Sequence, residues 1–196
     1  MAVYDDNILK VLENHHNVVG LSKLFVDIRT KQLTQSMLDS IADVLQASKS
    51  VKHLVIDNLN IARDINNLNF CKLFDSFKYL ESLKMIEFEL RPLQLEYLSN
   101  NILSLGNLKT LAIYLSNKHG KYGYWVNGRD VMQILADNLM NIEELHIDFR
   151  DYAENVDTIY FFDKISRSKM KSLTIHGFYK LSDAQVHKFA TSYGNL

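Results

Sequence analysis

The residues best suited to recognition chemistry lie close together between Ser116 and Asp130. This stretch holds Tyr122, Tyr124, the chain's only tryptophan, Trp125, and Arg129, with three of the seven glycines. Trp, Tyr and Arg are the side chains that most often dominate binding energy at protein interfaces. Such a cluster could anchor a protein partner. It could instead lie back on its own fold as a glycine-rich hairpin, or stack on the bases of single-stranded nucleic acid. Phosphate neutralisation supplies much of the affinity for nucleic acid. The net charge of -1 and pI near 6.6 therefore disfavour nucleic acid as a partner.

Catalytic chemistry is poorly provided for. No glycine-rich phosphate loop, HExxH or CxxC pattern occurs. Cys71, the single cysteine, falls in the apolar run from Phe70 to Phe77 and is expected to be buried and inert. His15 and His16 are adjacent and would diverge on a helix. His146 and His176, with Asp148 nearby, make a weak metal set, and ordinary surface histidine is the simpler reading. No catalytic residue, metal or cofactor is expected.

The elements that must position these residues show as a repeat. An apolar residue, two variable residues, Leu, one variable residue and an apolar residue recur six times, beginning at Leu21, Val51, Leu80, Leu108, Ile142 and Met170. The fourth position is always leucine: Leu24, Leu54, Leu83, Leu111, Leu145 and Leu173, at steps of 30, 29, 28, 34 and 28. A period in this range marks a solenoid. The step of 34 contains the Ser116–Asp130 stretch, and insertions in solenoids map to loops on one face, often the binding face.

Each motif reads as a short strand whose side chains alternate in and out. In the second, Val51, Leu54 and Ile56 point inward while His53, Val55 and Asp57 face out. The outward positions line up in three columns. Lys23, His53, Ser82, Thr110, Glu144 and Ser172 precede the leucine, and Phe25, Val55, Lys84, Ala112, His146 and Thr174 follow it. The third column is Asp27, Asp57, Ile86, Tyr114, Asp148 and His176. Phe25, Val55, Ile86 and Tyr114 bordered by charges form the kind of mixed patch a protein partner needs, although any sheet face carries some apolar residues. Asp27, Asp57 and Asp148 could receive a basic segment, and are otherwise read as solvated.

Between the strands run helical patterns with apolar residues at steps of three and four. They are Met37, Leu38, Ile41, Val44 and Leu45; Phe70, Leu73, Phe74 and Phe77; Leu95, Leu98, Ile102 and Leu105; Val131, Ile134, Leu135 and Leu139; Phe161, Phe162 and Ile165; and Val186, Phe189 and Ala190. Ser182 and Gln185 make a capping box at the start of the last. Strands stack at ~4.8 Å and helices at ~8–10 Å, so the array must curve with its sheet inside. The expected fold is an α/β horseshoe arc of about six repeats, with a parallel sheet on the concave face.

The six motifs, over roughly residues 18–196, resemble leucine-rich-repeat proteins of the long-repeat classes, ribonuclease-inhibitor-like and cysteine-containing. Leu181-Ser182-Asp183-Ala184-Gln185-Val186 and Gly194-Asn195-Leu196 resemble the helix repeat of F-box leucine-rich-repeat proteins. The family's asparagine or cysteine ladder is missing; Arg29, Leu59, Phe88, Ser116, Arg150 and Phe178 stand in its places. The resemblance implies a protein-binding adaptor, such as the substrate-recognition part of a ubiquitin ligase, although residues 1–17 are too short for an F-box. The alternatives are the sensing or effector domain of an immune receptor or intracellular pathogen, and last a GTPase-activating regulator, for which Arg129 is the one attractive arginine.

The 196 residues are expected to form one domain, with 1–17 and 182–196 as partial repeats. The run Ile8, Leu9, Val11 and Leu12 reads as a helix without its strand. Neither end carries a cap signature, although terminal repeats need polar caps. The array is therefore either short, or covered at its ends by a partner, a second copy or further chain. The lone cysteine suits a reducing compartment, no apolar run reaches the ~18 residues of a membrane span, and the acidic start lacks a signal-peptide core. The expected location is the cytoplasm or nucleus.

Overall fold

In a computed structural model, residues 2–3, 20–27, 34–57, 69–88, 97–101, 107–115, 128–148, 158–165, 169–176 and 182–192 are described. They form an α/β array. Strands β1 (Ala2–Val3), β2 (Lys23–Asp27), β3 (His53–Asp57), β4 (Ser82–Phe88), β5 (Thr110–Leu115), β6 (Glu144–Asp148) and β7 (Ser172–His176) make one sheet in chain order. Every neighbouring pair is parallel. Parallel neighbours need a crossover. The described crossover segments include α1 (Gln35–Ala47), α2 (Cys71–Asp75) continued by a 3-10 turn (Ser76–Tyr79), α3 (97–101), α4 (Gly128–Asn138) and α5 (Thr158–Ile165); α6 (Asp183–Ser192) follows β7.

The register turns the repeated leucine into a column. Leu24, Leu54, Leu83, Leu111, Leu145 and Leu173 sit opposite one another across five strand pairs. The first five are at most 1% exposed. A one-residue slip would turn every inward side chain to the other face, so burial of this column holds the register. Val26, Ile56, Met85, Ile113 and Ile147 form a second buried column.

The helices supply the other half of the core. Met37, Leu38, Ile41, Val44 and Leu45 of α1 are all buried, as are Phe70, Leu73, Phe74 and Phe77. Phe74 packs its ring 5.7 Å from both Phe70 and Phe77. Leu98, Leu135, Leu139, Phe161 and Ile165 join the same cluster. Thr34 starts α1, its Oγ1 accepting the Met37 N–H at 3.3 Å.

Several expectations change. The N-terminal segment does carry a strand: β1 pairs with β2, placing Ala2 opposite Phe25 and Val3 opposite Val26. The run Ile8 to Leu12 lies outside the described residues. The third outward column is broken. An extra residue in β4 shifts the register between Met85 and Phe88, as a β-bulge does, so Ile86 and Tyr114 are not a register pair. Cys71 opens α2 and is only partly buried, because its helix is one short turn and its position lies off the Phe70–Leu73–Phe74 face. In α6, Val186 is 49% exposed and Ala190 is exposed, so these two members of the expected apolar stripe are not covered by any described residue.

Candidate functional site

One main-chain device positions the outward face. At the start of each of β3 to β7, a single carbonyl of the preceding repeat accepts two N–H groups. Ser22 accepts from Lys52 and His53, Lys52 from Glu81 and Ser82, and Glu81 from Lys109 and Thr110. Lys109 accepts from Glu143 and Glu144, and Glu143 from Lys171 and Ser172, all ten bonds being 2.7–3.1 Å. These main-chain bonds fix the first outward residue of each of these strands: His53, Ser82, Thr110, Glu144 and Ser172.

Side chains at the same position form a second ladder: Lys52, Glu81, Lys109, Glu143 and Lys171, alternating in sign. Lys52 pairs with Glu81 at 3.6 Å, and Lys171 with Glu143. The hydrogen bond from Lys171 holds the Glu143 carboxyl below its ordinary value, and the Lys171 ammonium is held above its own by the same bond. These are exposed pairs and contribute little stability individually. The residues are the second of each six-residue motif, so the alternation was legible in the sequence and was missed there.

Across the face, Phe25, Val55, Lys84, Ala112, His146 and Thr174 form an unbroken register row. Phe25, Val55, Lys84 and His146 are half-buried, and Ala112 is buried. The row therefore runs from apolar groups at β2 and β3, through a lysine at β4, to an imidazole at β6. Beside it stand half-buried Asp57, Ile86 and Tyr114, and exposed His176. The Lys84 ammonium lies 5.4 Å from the Tyr114 ring centroid, a cation–π contact. Tyr114 is two residues past Ala112, which faces Lys84, so the pair is a diagonal neighbour on one face.

Asp27 and Asp148 are 5% and 4% exposed, and each has a partner. The expectation that they are solvated is corrected. A carboxylate is this deeply buried only when compensated, so both belong to the framework, and Asp57 alone of that set remains half-open. Asp148 is opposite His176, while His146 is opposite Thr174. Among the described residues no group of three His, Cys, Asp or Glu could hold a metal ion.

Tyr122, Tyr124 and Trp125 lie outside the described residues. Arg129 falls in the first turn of α4, so the last three residues of the 116–130 stretch are helix rather than loop. The ladder positions Arg29, Leu59, Ser116, Arg150 and Phe178 also lie outside.

A further set of side-chain contacts links the helices. Lys72 pairs with Asp43 at 2.8 Å, Tyr97 donates to Asp75 at 2.9 Å, and both Tyr160 (2.6 Å) and Lys164 (3.0 Å) bond Asp137. In each case an aspartate of one helix reaches the next helix. The hydrogen bond to Asp75, with burial and the nearby charge, pushes the Tyr97 hydroxyl up to about 12. Burial pushes the Asp137 carboxyl up, but the bonds from Tyr160 and Lys164 outweigh it and the net is below the ordinary value. The Asp43 bond raises Lys72. These groups tie neighbouring helices together.

Among the described residues no helix is long and apolar enough to cross a membrane. In comparisons with known proteins, no family model and no curated relative matches the chain.

Proposed function

We propose that the chain is a leucine-rich-repeat solenoid, curved with its parallel sheet on the concave side, and a non-catalytic module that binds a protein partner. The partner is held by the concave face and by Tyr122, Tyr124 and Trp125 of the 116–130 loop. Its place is the cytoplasm or nucleus, as the substrate-recognition part of an F-box-type ubiquitin-ligase adaptor. The adaptor role rests on the resemblance of residues 181–186 to F-box-associated repeats.

The observation that carries the binding reading is the unbroken row Phe25, Val55, Lys84, Ala112, His146 and Thr174, flanked by Ile86 and Tyr114. It offers apolar and aromatic groups at one height, with lysine and histidine among them, on strands whose spacing the main chain fixes. A rigid mixed surface loses little entropy on binding, and aromatic groups in such a setting are the usual anchors.

Affinity capture from a lysate of the source organism, read by mass spectrometry, tests it. The wild-type chain is compared with Tyr124→Ala/Trp125→Ala and with Lys84→Glu/Tyr114→Ala. The expected result is a partner retained by the wild type and lost with either double variant. A partner retained by both variants would remove the proposed surface.

A further inference from the structure

Every strand of the sheet is parallel to its neighbours, so all strand starts lie along one rim. The described residues that lead into β3 to β7 are 47–52, 76–81, 107–109, 139–143 and 169–171. They carry six lysines, Lys49, Lys52, Lys78, Lys109, Lys169 and Lys171, against two carboxylates, Glu81 and Glu143. The whole chain has a net charge of -1, so this rim is a positive patch on an otherwise acidic molecule. Lys52 and Lys171 are paired with the two glutamates. Among the described residues Lys49, Lys78, Lys109 and Lys169 have no ion pair, and all four are exposed.

The positive charge is concentrated at Tyr79. The Lys49 ammonium lies 5.8 Å and the Lys78 ammonium 5.2 Å from the centre of this one ring, and Lys52 donates to the Tyr79 carbonyl at 3.4 Å. An aromatic ring attracts cations, so it holds together two like charges from neighbouring repeats. Lys49 and Lys78 are equivalent residues, each two places before the first apolar residue of its motif. Helix C-termini also favour cations, and α1 and the 3-10 turn end here. That alone does not require lysine: α4 ends on the same rim, and the equivalent place after it holds Met140. Met140 is 45% exposed, one of two large apolar side chains that the described residues leave open. It stands two repeats beyond Lys78, ~10 Å at the strand spacing.

We propose that this rim is a docking surface for an acidic segment of a partner protein. Carboxylates of the segment sit between Lys49 and Lys78 at Tyr79 and beside Lys109, and an apolar side chain of the same segment covers Met140. An extended chain advances ~3.3 Å per residue, so the apolar residue follows the carboxylate at Lys78 by about three positions. The lysines select the sign of the partner, and Met140 selects against a purely charged chain. A nucleic-acid backbone fits less well. Its phosphates follow one another without a gap, whereas Glu81 and Glu143 interrupt the lysines. The rim lies at the strand starts and the outward row on the sheet face, so either surface could fail without the other.

The probe is a fluorescent peptide of glutamates followed by two glycines and a leucine. The same peptide with alanine for leucine, one with lysine for each glutamate, and single-stranded DNA are measured beside it. Fluorescence anisotropy is read on the wild type, Lys78→Glu, Met140→Ser and Lys84→Glu, and circular dichroism checks that each variant is folded. The expected result is saturable binding of the glutamate–leucine peptide and none of the lysine peptide. Lys78→Glu should weaken binding about tenfold or more. Lys84→Glu, which changes the net charge equally but lies on the sheet face, should leave it unchanged. Met140→Ser should abolish the advantage of leucine over alanine. No saturable binding, equal weakening by Lys78→Glu and Lys84→Glu, or no preference of the wild type for leucine would overturn the proposal. So would tighter binding of the DNA than of the peptide, since the rim would then belong to a nucleic acid.

Discussion

Lys84 and Tyr114 meet on the outward face with the ammonium 5.4 Å from the ring centroid, although they belong to different repeats and face each other only diagonally. Ala112, the residue directly opposite Lys84, is too small to intervene. An exposed or half-exposed cation–π contact contributes about 0.5–1 kcal/mol. A double-mutant cycle of Lys84→Met and Tyr114→Leu, read by urea unfolding, should give a coupling of that size. A coupling indistinguishable from zero would mean that the two side chains are independent.

The leucine column should not be uniform in energy. Leu111→Ala, in the middle of the stack with no exposed surface, should cost about 2–5 kcal/mol. Leu173→Ala, half-buried at the last strand, should cost clearly less, because part of its side chain already meets water. Chemical denaturation of the two variants checks this. Equal losses would show that the end of the array is covered as fully as its middle.

The column was also the most legible part of the fold. Leucine recurs at a fixed place because each strand must bury the same position against its neighbours, so the parallel sheet and its register follow from spacing alone. Helix faces at Met37 to Leu45 and Phe70 to Phe77 were equally readable. The bulge between Met85 and Phe88 was not, since an extra residue in one strand leaves the hydrophobic spacing before it untouched. The burial of Asp27 and Asp148 was hidden too, because an outward position in the strand pattern gives no sign of how deeply it is buried. The alternating Lys52–Glu81–Lys109–Glu143–Lys171 ladder was in plain view but appears only when the motifs are aligned column by column.

Tyr97 should ionise late. Its hydroxyl is raised to about 12 by donating to Asp75. Between pH 10 and 12 the folded state keeps a proton that the unfolded state has lost. The stabilisation is thus fully present below about pH 10 and disappears as pH rises through 12. Difference absorbance titration of wild type against Tyr97→Phe should show this phenol near pH 12, and Asp75→Asn should bring it back toward the ordinary range. A midpoint near 10 in the wild type would mean that the bond is not maintained in solution.

Thr34 should act through a single bond to the Met37 N–H. Thr34→Ala should cost about 1 kcal/mol and Thr34→Ser almost nothing, since serine keeps the capping oxygen. Thermal unfolding of the two variants distinguishes the cap from the methyl group. A serine variant as unstable as alanine would place the effect in packing instead.

The measurement closest to the central claim is the affinity of the captured partner, by isothermal titration, for the wild type and for Tyr114→Ala. If the outward row is the binding face, losing the aromatic that flanks it at β5 should weaken binding by about tenfold or more, in the range of an interface anchor, with the melting temperature little changed. An unaltered affinity, with the partner still bound one to one, would contradict the assignment of the sheet face as the site.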